Sequence, residues 1–193
     1  MPMPAFDRLP PDKQDAIIDS AIAEFSENPY EKVSIFLIAK RAGMSRSGFY
    51  YYFSGKEDVY RCLLLRLLRE FVETLPPSID LFRLPERMLR HFASFKGTPK
   101  EAFILRVLDN MKPSIQVFFS EPFLPDTEAS PKLLGLDRLR RRDRESMQLL
   151  SFLILICTSV SLRRYYESDM TLDQCCVLLE ESLELIRHGA CKK

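Results

Sequence analysis

The sequence predicts an all-α protein, and three observations carry that expectation. All 13 prolines lie at or before Pro131, which leaves the last third of the chain open to unbroken helices. Helix-start signals recur, with Ser or Thr followed three residues later by Glu or Gln at Ser54–Glu57, Thr98–Glu101 and Thr171–Gln174. No segment alternates apolar and polar residues in the way a half-buried strand requires.

Taken in order, Asp12 to Asn28 reads as an amphipathic helix. Pro10-Pro11 suit its first turn, Ile17, Ala21 and Phe25 recur every four residues beside Ile18 and Ile22, and Pro29 ends it. Ser34 is the N-cap of a short helix through Ala42, with Ile35, Ile38, Ala39 and Ala42 facing inward and Gly43 as its left-handed stop. Ser45 caps a very short helix through about Phe53. The Ser54 capping box then opens a long helix to about Leu75, broken by Pro76-Pro77.

Pro85 to Phe95, closed by Gly97, is the next helix, and Thr98-Pro99-Lys100-Glu101 opens another that Pro113 limits or kinks. Ser120 to Pro131 reads as loop. Two long helices follow, Leu136 to Ser168 and a second from the Thr171 box to Gly189.

Composition narrows the function without naming it. The 193 residues carry 28 Lys and Arg against 27 Asp and Glu, a formal net charge of +1, so neither nucleic acid nor an anionic membrane follows from bulk charge. Residues 1 to 66 carry nine of each sign. The five cysteines form no C-x-x-C pair and have only His91 and His188 to join them, which argues against a metal site or a disulfide framework and for reduced thiols in a cytoplasmic protein. No cofactor is expected. The N-terminus shows no secretory signal. The apolar stretch from Met147 to Leu162 contains Gln148 and hydroxyl residues and is shorter than the roughly 20 residues of a spanning helix, so a buried helix is expected and no membrane partner.

The stretch "GMSRSGFYYYFSGKED", Gly43 to Asp58, concentrates the chemistry. A helix, a glycine turn and a second short helix form a helix-turn-helix, whose second helix can enter the major groove. Phe49 and Phe53 fall on one side with Met44, set to pack on Phe25 and Ile38, while Arg46, Ser47, Tyr50 and Tyr51 fall largely on the other. Three adjacent tyrosines on so short a helix cannot all be buried. Gly48 removes a side chain where a backbone would approach a phosphate, and Lys56 sits in the first turn of the next helix.

The segment "SIFLIAKRAGMSRSGFYYYFSGKEDVY" resembles the DNA-binding signature of the TetR family, with its Ala-Gly turn, Ser, aromatic–Tyr–x–x–Phe core and Lys-Glu-Asp helix start. The resemblance covers roughly Pro11 to Leu68. It implies that Arg46 and Ser47 face bases, that Tyr50, Tyr51 and Lys56 hold the DNA backbone with Tyr52 assisting, and that Ser45 caps and touches phosphate. It further implies a homodimeric regulator, usually a ligand-released repressor on a pseudo-palindromic operator. Residues 1–56 would be the helix-turn-helix domain, and 57–193 a larger helical domain for a small-molecule effector and for dimerisation through the last two helices. The chain departs from the pattern at Ile35-Phe36-Leu37, where a polar or basic residue is usual. Neither Phe36 nor Leu37 can hydrogen-bond a phosphate, though either could touch a thymine methyl.

Other features have plain readings beside sharper ones. Phe92, Phe103, Arg106, Asn110, Phe118 and Phe152 are the candidate effector-pocket residues, with His91, Phe95 and Phe119 beside them; a stripe at helical spacing is also what a core looks like. The arginines from Arg138 to Arg144 could be a second nucleic-acid patch, but the interleaved acids favour a solvated face. Two rival functions stand against a DNA-binding regulator. One is a ligand-binding or interaction dimer with weakened or lost DNA binding. The other is an enzyme, which no metal spacing, phosphate loop or nucleophile elbow supports.

Overall fold

The computed structural model describes residues 4–110 and 132–191 and divides into two compact units. Unit 1 comprises Met1–Glu70 and Thr98–Glu121, and unit 2 comprises Phe71–Gly97 and Pro122–Lys193. The expected loop over 120–131, the Pro113 helix limit and the candidates Phe118 and Phe119 lie outside the described residues.

Unit 1 opens with a one-turn helix too short to show periodicity in the sequence, α1 (Pro4–Asp7). Then come α2 (Pro11–Glu27), α3 (Ile35–Arg41), α4 (Arg46–Tyr50) and α5 (Lys56–Glu73), whose last residues belong to unit 2. Helix α7 (Glu101–Asp109) packs back on α2. Pro11 occupies the first helical position of α2, where a missing amide costs nothing. The core divides into two aromatic groups. Phe53 stacks on Phe49 at 5.3 Å and meets Phe6 of α1 at 4.9 Å, whereas Phe25 meets Tyr60 at 5.0 Å, Tyr30 and Phe103. Phe6 of α1 thus joins Phe53 as a ring partner, with Phe49 stacked on the same ring. Burying each of these rings contributes roughly 1.5–3 kcal/mol.

Unit 2 contains α6 (Leu84–Ala93), α8 (Arg144–Glu167) and α9 (Leu172–Ala190), each packed on the other two. The all-α expectation needs one amendment. Ser78–Asp80 (β1) and Lys132–Leu134 (β2) pair in parallel over three residues each, too short for any alternation to register in the sequence. The expected Leu136 helix start also fails. Leu136–Arg138 forms a single 3₁₀ turn, Leu139 pairs with Cys191 across an antiparallel bridge, and the Arg140 amide donates to the Ala190 carbonyl at 2.8 Å. Helix α8 therefore begins only after Asp143, whose carboxylate accepts from the Ser146 amide at 3.0 Å.

The three predicted capping boxes fare differently. Thr171 and Gln174 form theirs reciprocally, at 3.2 and 2.8 Å. At Ser54 the reciprocal acid is Asp58 rather than Glu57: it accepts from the Ser54 amide at 3.0 Å and from the hydroxyl at 3.2 Å. At Thr98 the hydroxyl accepts from the Lys100 amide in a turn, and α7 starts later with Lys100 at its N-cap. Gly97 does take the left-handed conformation after α6, with φ 78°, whereas Gly189 lies inside α9.

Candidate nucleic-acid interface

The turn between α3 and α4 follows from three residues. Gly43 takes φ 68°, a region costly for any residue with a Cβ. Its amide donates to the Lys40 carbonyl at 3.2 Å and the Met44 amide reaches the Ala39 carbonyl at 2.9 Å, the paired bonds of a Schellman stop. Ser45 then restarts the helix, its hydroxyl accepting from the Gly48 amide at 3.0 Å. Ser34 does the same for α3, accepting from the Leu37 amide at 3.4 Å.

The entry to α3 is tied to α2 by a buried carboxylate. Glu24, fully buried, accepts from the Ser34 amide at 3.0 Å and from Asn28 Nδ2 at 3.2 Å. Arg41, at the other end of α3, lies 3.8 Å from Glu24 and chelates Glu27 with two nitrogens. That guanidinium holds the Glu27 carboxyl below its ordinary range. Both ends of α3 are therefore fixed to α2 by charge-assisted bonds.

Helix α4 separates its faces as its sequence suggests. Phe49 is fully buried, and Arg46, Ser47, Tyr50 and Tyr51 are exposed. The Arg46 guanidinium lies 5.8 Å from the centre of the Tyr50 ring, and the Ser47 and Ser45 hydroxyls are 3.0 Å apart. Tyr52 is half-buried, edge-on to Tyr51 and to Phe6. A Cβ on Gly48 would meet the Ser45 hydroxyl at 3.2 Å, so this glycine also leaves room for the cap. Lys56 is more committed than its sequence indicates. Its ammonium donates to the Glu31 carbonyl at 3.1 Å and lies over the Tyr30 ring at 4.8 Å. Burial, with Glu57 and Glu31 adding to it, raises the Tyr30 phenol above its ordinary range.

The candidate effector residues fall into separate settings. Phe103 is buried in the Phe25–Tyr60 group of unit 1. On the same helix, Arg106 donates to the Ser26 carbonyl at 3.3 Å and pairs with Asp109, and Asn110 donates to the Arg106 carbonyl at 2.8 Å. Phe92 is buried in unit 2 against Phe71, His91 and Phe95, and Phe152 is half-buried on α8. A groove of about 410 Å³ between α6 and α9 is lined by none of the candidates among the described residues. Its arginines Arg83, Arg90 and Arg187 are ion-paired to acids of the same groove. The Arg140 to Arg142 side chains are exposed, with Arg141 paired to Asp143, in keeping with a solvated face.

A left-handed glycine stop, a serine-capped second helix and an exposed Arg-Ser-Tyr face define a helix-turn-helix domain of the DNA-binding kind. Residues 17–62 of the chain match the family model described as bacterial regulatory proteins, tetR family. Among curated proteins it is 35% identical over 96 residues to the fatty acid metabolism regulator protein of Bacillus subtilis, covering 47% of this chain and 50% of that one. It is 32% identical over 102 residues to the biofilm operon icaADBC HTH-type negative transcriptional regulator IcaR of Staphylococcus epidermidis, covering 45% and 55%. The chain thus spans about half the length of the curated relatives it matches.

Solved structures extend the likeness in fold to both units. A TetR-family regulator from Streptomyces coelicolor A3 aligns with a TM-score of 0.59 at 17% identity, over 93% of this chain and 97% of that one. NalD of Pseudomonas aeruginosa, the secondary repressor of the MexAB-OprM multidrug efflux pump, aligns at 0.53 and 20% identity, over 94% and 98%. At such identity they establish the fold alone.

Proposed function

We propose that the chain is a DNA-binding transcriptional regulator, a repressor released by a small molecule, acting as a cytoplasmic homodimer on a pseudo-palindromic operator. The observation that carries this is the capped α4, which presents Arg46, Ser47 and Tyr50 together on one exposed face beside the Gly43 turn. In this reading Arg46 and Ser47 read base edges. Ser45, Tyr50, Tyr51 and Lys56 meet phosphates, Tyr52 supports Tyr51, and Gly48 permits close approach. Lys56 reaches a phosphate by exchanging its bond to the Glu31 carbonyl. Residues 1–56 act as the reading head and 57–193 as the effector and dimer domain, with Phe92, Phe103, Arg106, Asn110, Phe118 and Phe152 as candidate effector contacts.

The dimer face is proposed on α8 and α9. By length and composition α8 could cross a membrane, with a mean hydropathy of 1.6 over 18 residues, but one of its faces is buried in unit 2. The other exposes Leu149, Leu153 and Val160, and α9 exposes Val177 and Leu185. A second copy would cover this surface in a four-helix arrangement. Dimerisation would set the two α4 helices about one helical turn of DNA apart, roughly 34–36 Å, and an effector would bias that spacing.

Selection from a random duplex library, followed by mobility shifts, tests the reading. The wild type should enrich a pseudo-palindrome, and Arg46→Ala with Tyr50→Ala should lose it while remaining dimeric. A wild-type protein that enriches nothing at low salt is instead the interaction dimer.

A further inference from the structure

Among the described residues of unit 1, the exposed large hydrophobic side chains are Phe36, Leu37, Tyr50 and Tyr51, all within α3 and the end of α4. The tyrosines carry hydroxyls that can meet phosphate. Phe36 carries nothing polar and is the more exposed of the two α3 residues, at 56% against 38% for Leu37. Folding does not ask for an aromatic ring there. The inward contacts of α3 are made by Ile38 and Ala39, and its ends are held through Ser34, Glu24 and Arg41. A polar residue at 36 would serve the helix equally well.

What the ring does have is a neighbour. Lys40 lies four residues on, along the same face of α3, and is exposed. An apolar ring one turn from a cation, beside the exposed α4 face, matches the edge of a major groove. There the first helix of a helix-turn-helix runs across the phosphates, and the thymine methyl is the apolar group among the base edges. The balance of charge points the same way. With nine cations against nine acids in residues 1–66, affinity has to draw on contacts other than bulk attraction.

We infer that Phe36 is a specificity-determining residue of the operator interface, packing its ring on the 5-methyl group of a thymine while Lys40 meets the adjoining phosphate. This rests on the DNA-binding reading above. The test takes the duplex enriched by the wild type and replaces each thymine singly by deoxyuridine, which removes only the methyl. One thymine in each half-site should lose about 4-fold in affinity on replacement, the worth of one buried methyl. In Phe36→Ala the same replacement should cost nothing, while the other thymines behave as in the wild type. The uracil series on unaltered protein does not depend on the variant folding, and circular dichroism checks the variant. Equal uracil sensitivity in wild type and Phe36→Ala at every thymine overturns the inference and leaves the DNA-binding reading intact. An affinity loss in Phe36→Ala with no thymine dependence also overturns it, since the ring would then be packing on sugar. Failure of the wild type to enrich any duplex overturns both.

Discussion

Removing the Glu24 carboxylate should loosen the entry to the DNA-binding motif by a calculable amount. Glu24 is fully buried, and a single oxygen accepts from both the Ser34 amide at 3.0 Å and Asn28 Nδ2 at 3.2 Å. A hydrogen bond to a charged acceptor contributes about 1.5–3 kcal/mol. Ser34 is only half-buried, so water can partly replace the lost acceptor, and the lower end applies to each bond. The Arg41 contribution is small, because the guanidinium lies 3.8 Å away and keeps its Glu27 partner. Glu24→Ala should therefore cost about 3 kcal/mol, and Glu24→Gln, which keeps a carbonyl oxygen in place, about 1 kcal/mol. Two compact units make one global unfolding energy ill-defined, so the measurement is native-state amide exchange at Ser34 and Leu37, supported by urea melts followed by circular dichroism. Equal costs for Ala and Gln, or costs below about 0.5 kcal/mol for both, would show that Glu24 merely fills space and refute the reasoning.

Gly43→Ala should destabilise unit 1 by about 1–2 kcal/mol in the same melts, through backbone strain alone, since φ is 68° and an added Cβ meets nothing within 4 Å. The Cys62 thiol is pushed up to about 11 by burial and, secondarily, by Asp58. It should therefore resist alkylation at pH 8.5 until the protein unfolds. Because the unfolded thiol ionises first, this group's contribution to stability is full below about pH 8.5 and falls by up to about 1.4 kcal/mol per pH unit between there and pH 11. Leu153→Glu with Val177→Glu should convert a dimer to a monomer in sedimentation velocity while leaving the helical content unchanged. If Lys40 and Lys56 are the phosphate-neutralising cations of each half-site, four contacts per dimer give a slope of log affinity against log salt of about −3.6, and a slope near −7 would implicate additional basic residues.

Much of the helix-turn-helix was legible in the sequence because its signals are local. Gly43, Ser34 and Ser45 act through their own backbone and their nearest amides, so spacing alone located the turn and both caps. The errors arose where a distant partner decides. Asp58 takes the place of Glu57 at Ser54, and nothing in the Ser-x-x-Glu spacing tells which acid turns back. The start of α8 slips from Leu136 to Arg144 because residues 139–140 pair with the end of α9, some 50 positions away. Phe6 was not legible as a partner of Phe53, because a one-turn helix is too short to leave a periodic pattern. Lys56 was legible as a cation, but its bond to the Glu31 carbonyl and its place over Tyr30 come from the fold.

The two fixed ends of α3 bear on how an electrically balanced domain could hold DNA. A motif rich in lysine can tolerate loose side chains, because long-range attraction keeps it near the phosphates whatever their exact placement. With nine charges of each sign in residues 1–66, that tolerance is gone, and affinity depends on a few groups being held where they are needed. The chain's internal bonding fits this demand. Glu24 and Glu27 spend two of the domain's acids on fixing α3, and the chelated Arg41 is withdrawn from the surface charge along with them. What α3 then offers outward is Phe36 with Lys40, and what α4 offers is Arg46 with Tyr50. Each pairs a cation with an aromatic residue four positions away, carried on a short helix whose first turn is capped by a serine. On the proposed DNA-binding reading rigidity would take the place of charge as the source of affinity, and Glu24→Ala should then weaken operator binding although the carboxylate lies in the core.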